Sequence, residues 1–235
     1  MDLRRIVKGM AKHLASEGFE LQGGYKLVKV TPEGWAWLID FWGVGVKVRK
    51  LRGRFAAVMS VHAPEAWTLS GRGGRRDFLH RLHHAGPGCV ASKAPHFSHA
   101  EGAALWHRHM RPLDDILADL KRLWASQGRR FFKRYGNRRS VLDVWRRTRR
   151  LPGLHSGQAA MRAAALFAAD ASFRDCDVAL DFAGEIYAAE GSAFRSEYVS
   201  DTRKRIARLR SRRPTQAGSK RPPRRRDVVP VTRTR

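Results

Sequence analysis

The chain is poor in cysteine, in acids and in long apolar runs. Its 235 residues hold two cysteines, Cys89 and Cys176. Two thiols cannot make a disulfide framework, so they point to a reducing compartment. No segment approaches the roughly 20 apolar residues that a membrane-spanning helix needs. The opening stretch, MDLRRIVKGMAKHLASEGF, lacks the apolar run of a secretory signal. The expectation is a soluble, cytoplasmic protein without membrane insertion. Familiar catalytic signatures are missing too. There is no G-x-S-x-G, no Walker loop, no G-x-G-x-x-G and no H-E-x-x-H. No cofactor is implied, and no residue is singled out as catalytic. No internal repeat is visible.

What is present is positive charge. Lys plus Arg number 47 against 21 Asp plus Glu, a formal net charge of +26. From Arg203 to Arg235 there are fourteen Lys/Arg and one acid, Asp227, so this short segment carries +13, half of the total. Such an excess implies attraction to polyanions: nucleic acid, an anionic surface or polyphosphate. Apolar residues make up 43% of the chain, enough to build a core.

The periodicities divide the chain. Leu3, Ile6, Val7, Met10 and Leu14 recur at helical spacing, and Gly18 follows as a stop. YKLVKV, WAWLIDFW, VGVKV and RFAAVMSVHA alternate with period two and are separated by short turns, which predicts four antiparallel strands within residues 20–63. WAWLIDFW is apolar on both faces and reads as a central strand. Residues 64–112 read as irregular, punctuated by Gly and Pro, with a short helix near RDFLHRLHH. Leu113, Ile116, Leu117, Leu120 and Trp124 mark a helix that Gly128 should end. A second helix, SVLDVWRRTRR, takes Ser140 as its N-cap and breaks at Pro152–Gly153. Three more helices follow, and SRRPTQAGSKRPPRRRDVVPVTRTR reads as disordered. The expected class is α+β: an N-terminal helix, a four-stranded antiparallel meander, a helical second half and a basic, disordered tail. Its parts are an α+β domain over 1–202 (sheet about 1–63, His/Gly-rich connection about 64–112, helices about 113–202) and, over 203–235, a basic helix end with a disordered Arg/Pro-rich tail.

Two stretches carry a family resemblance. LASEGFELQGGYKLVKV…GWAWLIDFWG has a helix ending in Gly-Phe, an aromatic on the first strand and a Trp/Ile/Phe strand behind it. LDDILADLKRLWASQGRRFFKRYGNRRSVLDVW follows a helix with an aromatic pair and a second short helix. Over residues 1–150 this resembles the bacterial family called domain of unknown function forty-three zero four. The resemblance implies the helix-then-sheet order and a bacterial protein. It implies no functional residue, and the His-rich middle and basic tail depart from the pattern.

Several constellations could carry chemistry. HRLHHAGPGCVASKAPHFSH, His80–His99, holds five of the ten histidines. His80 and His84 would share a helical face, His96 and His99 lie three apart, and Cys89 sits between the pairs. Zinc asks for four such donors, but paired Cys knuckles are missing, so the stretch reads as a polar loop without a bound metal. His107 and His109 add donors without better spacing. Asp177, Asp181 and Glu185 form an acidic ridge at i, i+4, i+8. It reads as a solvated face that could also attract the basic tail. Asp40 stands in an apolar strand, where it should pair with an arginine. GRGGRR, Gly71–Arg76, reads as a flexible basic loop.

The basic segments carry the strongest functional signal. RRFFKRYGNRRS interleaves Arg129, Arg130, Lys133 and Arg134 with Phe131, Phe132 and Tyr135. Aromatics so placed can stack on bases, although core packing is the plainer reading of the two phenylalanines. WRRTRR turns Arg146, Arg147, Arg149 and Arg150 outward. The C-terminal segment adds Arg203, Lys204, Arg205, Arg208, Arg212, Arg213, Lys220, Arg221, Arg224, Arg225 and Arg226, suited to phosphate contacts with little sequence preference. The functional expectation is non-enzymatic binding of nucleic acid or another polyanion. One alternative is a metal-binding protein or enzyme using His80–His99. Another is an interaction module for an acidic protein.

Overall fold

The computed structural model describes residues 2–44, 54–71, 75–94, 106–107 and 111–212. The chain opens with α1 (Leu3–Leu14). Asp2 caps it by accepting a hydrogen bond from the Arg4 amide, and its stripe of Leu3, Ile6, Val7, Met10 and Leu14 is buried. Gly18, at φ 83°, ends the turn that follows. Phe19 then enters the core, where its ring meets Trp124 edge-on at 5.3 Å.

The sheet is an antiparallel meander in chain order: β1 (Glu20–Gln22), β2 (Lys26–Val30), β3 (Ala36–Val44), β4 (Arg54–His62) and β5 (Cys89–Lys93). The two-residue β6 (Trp106–His107) also pairs with β4. The central place of WAWLIDFW is observed: β3 is hydrogen-bonded to β2 and β4. One face of the sheet sets Ile39, Phe41, Ala57 and Met59 against α1 and α4 (Leu113–Leu123). The opposite face buries Val28, Ala36 and Leu38 beneath Trp67 of α2 (Pro64–Leu69), Phe78 of α3 (Arg75–Phe78) and Leu82. Each fully buried Leu or Phe adds about 1.5–3 kcal/mol relative to an exposed one.

The strand count corrects the expected four. β1 is too short to show alternation, and β5 lies inside the stretch read as irregular. β3 runs on to Val44, the first residue of VGVKV; the rest of that expected strand falls in residues 45–53, outside the described part. Gly128 does not stop a helix either. α4 continues through a π-helical turn, Trp124–Gly128, into α5 (Arg129–Tyr135). Gly128 is helical, and its role is close approach. A Cβ there would lie 2.4 Å from the Trp124 ring. The N-cap of α6 (Arg138–Thr148) is Asn137, whose side chain accepts from the Ser140 amide, so Ser140 is the capped residue and not the cap. α6 ends at Arg149 in the left-handed conformation, three residues before Pro152.

The second half stacks α7 (Ser156–Ala169), α8 (Phe173–Ala189) and α9 (Ala193–Arg212). α7 is apolar nearly all round and correspondingly buried. Its alanines let α8 approach closely, while Phe167 packs edge-on against Trp145 of α6. One continuous set of buried residues joins the sheet to these helices. α9 passes Arg203 without a break and buries Val199, Thr202 and Ile206. Ser211 and Arg212, the first two residues of the stretch expected to be disordered, are instead the last of α9, which continues the helix; the rest of that stretch, from 213 onward, lies outside the described residues.

Candidate functional site

The arginines of α5 and α6 are placed by a buried aromatic cluster. Phe131 and Phe132 point inward, 4% and 1% exposed. Phe132 stacks on Trp37 at 5.0 Å, and the Trp37 indole donates to the Gly136 carbonyl at 3.1 Å. That fixes the α5–α6 corner on the sheet. It also removes both phenylalanines from any role as base platforms. Tyr135 alone of the three is half-exposed.

With the apolar side held down, the cations face outward, and they divide into two kinds. Arg129 pairs with Glu17 at 2.8 Å, Arg146 with Asp175 at 2.8 Å, and Arg138 with Asp170 at 2.6 Å and with Glu65. Arg130, Lys133, Arg134, Arg139, Arg147, Arg149 and Arg150 have no carboxylate partner among the described residues. Three of these make other contacts: Arg134 lies over Tyr135, Arg149 lies over Trp145 at 4.3 Å, and Arg147 donates to the Asp143 carbonyl. Nothing in the spacing of RRFFKRYGNRRS sets Arg139 apart; only its lack of an acidic partner among the described residues marks it. Arg134, Tyr135, Thr148, Arg150, His155 and Ser156 line a groove of about 600 Å³ between α5, α6 and the start of α7. Helix spacing within RRFFKRY and WRRTRR shows the outward arginines, but not this groove, which depends on the fold of the α6–α7 connection.

α9 behaves differently. The acidic ridge of α8 meets it: Arg203 bonds Asp181 at 2.5 Å and Arg210 bonds Asp177 at 2.9 Å. Lys204 pairs within its own helix with Asp201. Arg205 donates to the Leu69 carbonyl at 3.0 Å, closing the end of α2. Arg208 is exposed. Arg212 closes α9, while Arg213, Lys220, Arg221, Arg224, Arg225 and Arg226 lie outside the described residues. Much of the α9 charge is therefore locally neutralised within the fold.

The histidine stretch resolves into something other than the expected pairs. α3 ends at Phe78, so His80 and His84 share no helical face. Cys89 is fully buried, its thiol pushed up to about 12 chiefly by burial, and it donates to the Ala91 carbonyl. A buried, protonated thiol of this kind is a poor ligand. His96, His99 and His109 lie outside the described residues. His83 and His84 instead meet Asp40. His84 Nδ1 lies 2.9 Å from Asp40 Oδ2, and donor atoms of all three residues fall within 4.8 Å of one another. Asp40, 5% exposed, pairs with this histidine and not with an arginine. Burial holds His83 below its ordinary pKa, and neighbouring His84 adds to the effect. Nearby, Lys26 donates to the Leu82 carbonyl. Asp40 and His84 are 44 residues apart, and their meeting leaves no trace in local spacing.

Among the described residues no helix is long and apolar enough to cross a membrane. No family model, no curated protein and no solved structure matches this chain.

Proposed function

We propose that this protein binds nucleic acid through its phosphate backbone, using the outward face of α5 and α6 and the groove beside it, with residues 213–235 as a further basic arm. The observation that supports this most is the set of seven cations between Arg130 and Arg150 that lack a carboxylate partner among the described residues. A surface salt bridge neutralises local charge while adding little stability. Cations left without one keep their full attraction for phosphate. The arginine fork suits phosphate geometry, and half-exposed Tyr135 gives the groove one face on which a base can lie. No base-reading arrangement is part of the proposal, so binding is expected to be indifferent to sequence. The likeness of residues 1–150 to the bacterial family named above is also kept as a proposal; it adds no site residue. The test compares the full chain with a chain ended after Arg212, which keeps α9 whole. The shortened chain should still bind mixed-sequence DNA with a steep salt dependence. Loss of all binding on that truncation would put the affinity in the arm and refute a role for α5 and α6.

A second reading, metal binding, is favoured by one observation: the meeting of Asp40, His83 and His84. Two imidazoles and a carboxylate suit zinc, with a fourth position left for water or a substrate. Elemental analysis of protein purified without a metal resin decides it. About one zinc per chain, lost in His84→Ala, supports the reading, and its absence removes it.

A further inference from the structure

A different face of the helical half holds a charge without a counterpart. A cavity of about 290 Å³ lies between α7, the end of α8 and the start of α9, with Ala85 and Pro87 as one wall. Arg162 of α7 lines it. The Arg162 Nε is closed off from solvent and has no hydrogen-bond partner among the described residues. No ion pair to this guanidinium is formed there either. Arg195, the other cation of the lining, is already paired: Glu190 holds it at 2.9 Å with one oxygen and His155 at 2.8 Å with the other. A half-buried cation without a partner is costly unless a ligand supplies the opposite charge. Its field reaches the surroundings. Burial is the main cause of the shifts at His62 and Cys89, and the charge of Arg162 comes next at both.

The rest of the lining gives the ligand its shape. Gln158 and Tyr198 bring an amide and a phenol to the same cavity as Arg162. Met161 and the Tyr187 ring offer apolar walls, and Phe194, 80% exposed, stands at the mouth. An exposed phenylalanine beside a polar cavity suits contact with a ligand ring better than it suits water. We infer that this cavity binds a small organic anion, with a carboxylate or phosphate head on the Arg162 guanidinium and an aromatic or short acyl body against Met161 and Phe194. The volume sits at the small end of ligand pockets, about 300 Å³ and upward, so a single ring fits and a nucleotide does not. The inference stands apart from the nucleic-acid reading, because it uses none of the seven cations on α5 and α6.

Calorimetric titration of the full chain with phenyl phosphate, benzoate and inorganic phosphate tests it. At least one of the two aromatic anions should bind 1:1 and more tightly than inorganic phosphate; which one wins identifies the head group. Arg162→Gln should weaken that binding at least about tenfold, equal to about 1.4 kcal/mol. Phe194→Ala lies on the surface and leaves the fold intact. It should remove the advantage of the aromatic anions over inorganic phosphate. The inference is overturned if neither aromatic anion binds saturably below about 10 mM. It is overturned equally if the Arg162→Gln protein, folded by circular dichroism, binds as the parent does. Should that variant not fold, unchanged selectivity in Phe194→Ala overturns it.

Discussion

Replacing Arg134, Arg147 and Arg150 together with Gln separates the two basic regions of this protein. All three are exposed and none has a carboxylate partner among the described residues, so the stability of the fold should change by no more than about 0.5 kcal/mol per site. Their effect on duplex binding should be large. Each phosphate contact contributes about 0.9 to the slope of log K against log salt concentration. In chains ended after Arg212, where the arm does not contribute, seven contacts give a slope of about −6, and four give about −3.6. Between 50 and 200 mM salt, the parent should lose roughly 10⁴ in affinity and the triple variant only about 10². Fluorescence anisotropy with a labelled mixed-sequence duplex reads both slopes directly. The control is Arg203→Gln with Arg210→Gln, two cations already held by Asp181 and Asp177. Their removal should change the slope by less than one, because the ridge already neutralises them. A control variant that flattens the slope as much as the triple variant would refute the reasoning from unpaired charge.

Further expectations concern the fold and its response to pH. Gly128→Ala should lower the melting temperature, since a Cβ 2.4 Å from the Trp124 ring forces repacking worth about 1–3 kcal/mol, more than the helix propensity gained. Gly184→Ala, in the interior of α8 with nothing within 4 Å, should raise it by about 0.5–1 kcal/mol of stability. Phe132→Ala should cost about 3–5 kcal/mol in chemical denaturation, as a core residue does. His62 is fully buried beside Ser60. Its pKa is lowered to about 3, first by loss of solvation and then by the charges of Arg162, His83, His84 and Lys26. Between pH 6.5 and about 3 the unfolded chain therefore binds a proton that the folded chain refuses. Stability should fall on acidification from pH 6.5 to 5, by up to about 1.4 kcal/mol per pH unit from this group. Denaturation curves at several pH values should show a shallower fall in His62→Gln, and an unchanged fall would contradict the assignment.

What the sequence revealed were the features set by near neighbours. The α1 stripe, the Gly18 stop and the two apolar faces of β3 follow from spacing alone, and all three are observed. The place of Phe131 and Phe132 between helices points to the core, and both are buried there. Features fixed at long range were not visible. β5 has five residues in a Gly/Pro/His-rich stretch, and it is a strand because β4 pairs with it. Gly128 has the local look of a helix stop, yet the Trp124 ring determines its presence. The acidic ridge shows in the sequence as a row of carboxylates able to attract the basic tail; that α9 lies along it depends on tertiary packing. Asp40 and the histidine stretch are each conspicuous in the sequence, but with arginines so plentiful nothing in it ties the carboxylate to His84. Arg162 gave no signal at all. One arginine in an alanine-rich helix becomes distinctive only once its neighbours are known to leave it unpaired.

The central claim is that phosphate is held on the outward face of α5 and α6. Amide and arginine side-chain resonances of the full chain, followed by NMR as a short mixed-sequence duplex is added, test it most directly. Within the folded part, the account predicts shifts concentrated at Arg130, Lys133, Arg134, Arg139, Arg147, Arg149 and Arg150, with Arg203 and Arg210 little changed and the arm from 213 onward shifting in addition. Shifts confined to residues beyond Arg203, with α5 and α6 unmoved, would contradict it.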